Sequence, residues 1–133
     1  MLERTVRNLI EWAKQNIFTT EGRLNRLKYF QYTLLVSLTF GIIDVVSVGV
    51  LSIITGLHDG ILLNAINFIT MLFMFLGNVM VSVRRCHDLN MSGGFVLLRI
   101  IPVVNFVFEL YLLFAKGNVG WNKYGADPLL VNE

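Results

Sequence analysis

The side chains able to do chemistry fall into two groups. The first is the run Arg84-Arg85-Cys86-His87-Asp88, which sets a thiol, an imidazole and a carboxylate side by side. A catalytic relay would use His87 as base, Asp88 to orient it and Cys86 as nucleophile. Neighbours in sequence point in different directions, however, so this run does not assemble such a relay. It fails as a metal site on the same ground, since no second ligand pair stands at ligand spacing. Charge pairing suits it better: Asp88 with Arg84 or Arg85, and the arginine pair with anionic headgroups or with Asp127. No catalytic residue, metal ligand or cofactor is expected. The second group is Asp44, Asn67, Asn78 and Glu109, embedded in apolar sequence with Arg99 nearby. A charge at the centre of a bilayer costs about 2.5–3.5 kcal/mol on insertion scales. Counted from the helix ends at about 1.5 Å per residue, Asp44, Asn67 and Glu109 fall at similar depth. Two carboxyls and an amide at one level would share a proton or hold a cation. The simpler expectation is that these groups hydrogen-bond between helices. Arg99 reads most simply as a snorkelling or lipid-phosphate contact.

The elements that must position these residues follow from composition. Of 133 residues, 55% are hydrophobic and only 15% charged, and mean hydropathy is +0.64. A soluble domain this small has too much surface to manage with so few charges. The chain is therefore expected to be an all-α integral membrane bundle forming a single domain over 1–133. Three apolar runs, 29–57, 61–83 and 95–115, each approach or exceed the roughly 20 residues a membrane helix needs. The first two are joined by a tight turn, Gly56–Gly60, and the third is kinked at Pro102. Residues 1–18 place Leu2, Val6, Leu9, Ile10, Ala13 and Ile17 on one face, with Glu3, Arg7, Glu11 and Lys14 off it. That pattern predicts an amphipathic helix lying in the headgroup region. Residues 1–28 hold six of the eleven Lys and Arg, and Arg84 and Arg85 add two more on the same side. The positive-inside rule places the N-terminus and the 84–94 loop in the cytoplasm. With three spans the tail, 116–133, would lie outside; a re-entrant 95–115 segment would return it to the cytoplasmic side.

Three motifs occur in order between about residues 20 and 128. They are Gly22-Arg23-Leu24-Asn25-Arg26 with Tyr29-Phe30, then Arg84-Arg85-Cys86-His87-Asp88 with Ser92-Gly93, then Gly117-Asn118-Val119-Gly120-Trp121-Asn122-Lys123-Tyr124-Gly125-Ala126-Asp127-Pro128. Together they resemble the domain-of-unknown-function-805 family of small bacterial inner-membrane proteins (YhaH-like). Departures from the family pattern are Gln31 in place of a frequent Trp, Gly94-Phe95 in place of a Trp pair, and Cys86 where an apolar residue is usual. The resemblance implies a multi-pass protein of the bacterial inner membrane and implies no reaction.

The functional expectation is a non-enzymatic module that binds a partner or organises lipid. Arg23, Arg26, Lys28, Arg84, Arg85, Asp88 and Arg99 are its candidate contacts to anionic headgroups or to a partner. That partner is expected to be a second copy of the chain or another membrane protein. In the tail, Asn122, Tyr124, Gly125, Asp127 and Pro128 are expected to form a membrane-apposed turn anchored by aromatics. The alternative reading is a small proton or cation transporter using Asp44 and Glu109. Basic charge that hugs the membrane with no binding module gives no support to a nucleic-acid partner.

Overall fold

The computed structural model describes residues 2–56 and 60–130, and within them the chain is helical without a strand. Four α-helices follow in order: α1 (Leu2–Asn16), α2 (Arg26–Thr55), α3 (Ile61–Asp88) and α4 (Pro102–Phe114), with a 3₁₀ helix, Gly93–Ile100, before the last. Residues 57–59, on which the expected turn falls, lie outside the described residues, as do 131–133.

Both long helices start and stop for local reasons. The Asn25 side chain accepts from the Lys28 N–H at 2.9 Å and caps α2. Gly56, at φ 67°, closes its other end with an N–H bond to the Ser52 carbonyl. At 30 and 28 residues, α2 and α3 are long and apolar enough to cross a membrane, about 45 and 42 Å against a hydrocarbon core of about 30 Å. They pack side by side. At Gly77 the approach is so close that a Cβ would sit 3.1 Å from Val36.

The expected third membrane helix over 95–115 is not one helix. Pro102 lacks an amide hydrogen and pushes Ile101 into extended backbone (φ −92°, ψ 112°). The run therefore breaks, and Pro102 becomes the first residue of α4 rather than a kink inside a span. The pieces are about 16 and 20 Å long, each too short to cross a bilayer alone. They form a hairpin that returns to where it began. It departs beside the Met91 N–H to Cys86 carbonyl bond, 2.8 Å, and comes back to the Asn118 N–H to Asp88 carbonyl bond, also 2.8 Å. The start of α2, the end of α3, the end of α4 and the tail thus share one end of the molecule. The expected single helix over 95–115 is thus corrected to two short ones.

This hairpin covers only half of the α2–α3 pair. The buried cluster of Ile17, Leu24, Tyr29, Val36, Val81, Cys86, Val96, Phe108 and Leu112 lies wholly in that half. Beyond it, Leu63 is the one buried hydrophobic residue among those described. The exposed surface is largely Ile, Val, Leu and Phe, the reverse of a water-facing surface and suited to lipid. α1 has no buried residue, and Leu2, Val6, Leu9 and Ile10 stand uncovered.

Candidate functional site

At the shared end, two arginines and one aspartate make a buried knot. α3 runs through Asp88 instead of stopping near residue 83, which puts Arg85 and Asp88 one helical turn apart, where they pair. Arg23 arrives from the segment before α2 and pairs with the other Asp88 oxygen, Nη2 to Oδ1 at 3.1 Å. Arg85 is fully buried, and Arg23 and Asp88 nearly so. Charges removed from water this completely need every donor matched.

The backbone supplies the partners. Arg85 donates to the carbonyls of Leu112 (2.8 Å), Leu24 (3.3 Å) and Ala115 (2.5 Å). Leu112 and Ala115 are at the end of α4, where helix carbonyls lack internal partners, so Arg85 caps that helix from outside it. Arg23 donates to the carbonyls of Gly120 (2.5 Å), Gly125 (3.2 Å) and Asn118. Gly117 lies so close that a Cβ there would fall 2.2 Å from Asp88 Oδ2. The tail is laid over this surface as a compact loop. Asn122 and Gly125 exchange backbone hydrogen bonds at 3.1 and 3.0 Å. The Asn122 amide donates to the His87 carbonyl at 2.9 Å, and Tyr124 stacks on the His87 ring at 3.8 Å. Asp127 accepts from the Leu129 N–H (2.9 Å) and the Gly120 N–H (3.0 Å). These bonds hold its carboxyl below the usual carboxylate range, with Arg23 adding to the effect.

All three sequence motifs therefore meet at one place, though about a hundred residues separate the first from the last. A family model described as "Protein of unknown function (DUF805)" matches residues 17–126, which spans all but the last two residues of that assembly. The chain belongs to this family. It is also similar to the "Inner membrane protein YhaI" of Escherichia coli strain K12 and of strain O157:H7. Each is 30% identical over 114 residues, covering 86% of this chain and 89% of the relative. No solved structure matches it.

Among the other sequence candidates, Arg84 donates to the Asn16 carbonyl at 2.6 Å and ties the end of α1 to α3. Arg26 and Lys28 belong to the first turn of α2, Arg26 exposed and Lys28 half-buried. Arg23 and Arg85 are turned inward, so neither presents its guanidinium to a headgroup. Arg99 does not snorkel either. It pairs with Glu109 Oε1 at 2.5 Å across the hairpin and donates to Ser82 Oγ at 2.6 Å and to the Asn78 carbonyl at 3.2 Å. Tyr29 donates to Glu109 Oε2 at 2.7 Å, completing a second polar layer about 9 Å below Asp88 along α3.

Asp44 and Glu109 are not at one level. Asn67, with its amide nitrogen turned toward α2, donates to both Asp44 oxygens at 2.9 and 2.7 Å. That pair sits about 22 Å further along α3 than Ser82, beside which Glu109 lies. The depth count placed them together because it assumed a straight third span. Sequence reasoning did not single out Tyr29, Ser82 or Gly117 as site residues. Tyr29 and Gly117 were visible only as motif members and Ser82 only as a polar residue of the second apolar run, because nothing local shows which groups they meet.

Proposed function

We propose that this protein is a non-enzymatic module of the bacterial inner membrane that organises lipid or a membrane partner. The observation carrying this reading is that four of the charged motif residues neutralise one another inside the chain. Arg23, Arg85, Asp88 and Asp127 form a balanced set closed over by tail backbone. His87, the one imidazole in the motifs, is half-buried with one ring face stacked on Tyr124. What the chain presents outward is an apolar girdle, with cations at one end and α1 carrying an uncovered apolar face.

In this reading α2 and α3 cross the membrane, the 93–114 hairpin is re-entrant and packs on them through Val96, Phe108 and Leu112, and α1 lies in the interface. The knot end faces the cytoplasm. Ten of the eleven Lys and Arg then lie on that side, Arg99 being the eleventh, which supports the orientation more strongly than three spans did. The inner-membrane relatives support the location.

The transporter alternative draws no support from the geometry, because Asp44 and Glu109 belong to separate polar layers. Proteoliposomes carrying a pH-sensitive dye and a potassium-driven potential should show no protein-dependent proton or sodium flux. Protein isolated with its surrounding bilayer should be enriched in anionic phospholipid over the bulk membrane. A reproducible current lost in Asp44→Asn would overturn the reading, as would a lipid shell of bulk composition with no co-isolated membrane protein.

A further inference from the structure

Between the start of α2 and the end of α4 lies a cleft in two adjoining parts. The upper part, about 220 Å³, is bordered by Arg26, Lys116 and the outer side of the knot at Arg85, Asp88 and Asp127. The lower part, about 450 Å³, is an open trough of Leu27, Phe30, Leu113 and Phe114. Arg26 and Leu27 line both. Arg26 and Lys116 are exposed, and among the described residues no carboxylate pairs with either. With Arg23 and Arg85 balancing Asp88 and Asp127 inside the knot, Arg26 and Lys116 leave two positive charges unmatched at the border of the upper part. The backbone N–H groups of Arg26 and Leu27 open the first turn of α2, where a helix leaves its donors without internal acceptors and its dipole favours an anion.

We propose that this cleft binds one anionic phospholipid, its phosphate between Arg26 and Lys116 and one acyl chain in the trough. The inference rests on the lipid-organising reading and gives it a place. Charge complementarity selects the occupant: two unmatched cations, Arg26 and Lys116, border the upper part, and an open apolar trough adjoins it at Arg26 and Leu27. A free phosphate would leave the trough unfilled. A partner helix would have to bring an anionic group to the level of Arg26 while lying along Phe30 and Phe114, and such a helix is one outcome of the test.

Native mass spectrometry in mild detergent, titrating phosphatidylglycerol against phosphatidylethanolamine, tests the site. The unmodified chain should hold one phosphatidylglycerol preferentially. Arg26→Ala/Lys116→Ala should weaken that binding about tenfold or more, as removal of two near-surface cations implies. Arg4→Ala/Arg7→Ala, which removes the same charge from α1, should leave it unchanged. Leu27→Trp fills the trough at an exposed position, keeps every charge, and should displace the lipid as well. Undiminished binding in both cleft variants would overturn the site while the lipid-organising reading stands. No preference for phosphatidylglycerol in the unmodified chain would remove both. An anionic peptide co-isolating in place of lipid, and lost with Arg26 and Lys116, would overturn the lipid as occupant.

Discussion

Asp88 is the residue on which the most structure converges. It receives Arg85 from one turn away on its own helix and Arg23 from sixty-five residues upstream, and its backbone carbonyl anchors the tail. The first of these partners was one of the two, Arg84 or Arg85, that the sequence offered; the second was not legible, because nothing in sequence distinguishes a basic residue that turns inward from one that faces a headgroup. Removing the charge of Asp88 strands two buried guanidiniums. Asp88→Asn should therefore lower stability by about 3–5 kcal/mol, the usual cost of breaking a buried ion pair from one side. Thermal unfolding in detergent provides the measurement. The comparison is Glu11→Gln, which removes the exposed Lys14–Glu11 pair and should change stability by no more than about 1 kcal/mol. Equal midpoints for the two variants would mean that the knot contributes nothing beyond a surface pair.

At the scale of elements, the 93–114 hairpin and the tail are held by contacts to α3 rather than by a long helix of their own. α4 ends against Arg85, and the chain then passes Asp88 at Gly117, where the backbone has no room for a side chain. Gly117→Ala sets a Cβ against a carboxylate that two arginines hold in place, so the tail must move. Overpacking of this kind costs about 1–3 kcal/mol. The tail should come away first, and trypsin should cut at Lys116 and Lys123 faster than in the unmodified chain. Gly41→Ala, where a Cβ meets nothing within 4 Å, should leave the cleavage rate unchanged. Cleavage at the same rate in all three would show that the tail is not docked through this contact.

For the whole molecule, the decisive difference between three spans and a re-entrant hairpin is the side on which the tail emerges. Cys86 is buried, so single cysteines introduced at exposed positions report topology without removing it. Lys123→Cys and Thr20→Cys should be protected together from an impermeant maleimide in intact spheroplasts and react together once the membrane is opened. Ile61→Cys, at the opposite end of the α2–α3 pair, should react in the intact cells. Labelling of Lys123→Cys from outside, with Thr20→Cys protected, would restore the three-span topology.

Composition and hydrophobic pattern by themselves determined that this chain is a helical membrane protein and where its two long helices begin, though α3 continues past the expected end at residue 83 to Asp88; the family was legible only as a resemblance carried by the three motifs. These are local properties: apolar run length, capping residues and turn chemistry act within a few residues and need no partner. Pro102 and Arg99 were visible as interruptions, but whether an interrupted run crosses or turns back depends on what shields it, and shielding is tertiary. Only the folded chain decided that Arg99 meets Glu109 across the hairpin and that Asp44 and Glu109 lie in different layers. It likewise turned Arg23 and Arg85, which read as headgroup contacts, inward onto Asp88. The physical reason is common to all three. In a low-dielectric interior a charge or an open carbonyl must find its match wherever in the chain that match lies, and sequence distance carries no record of it.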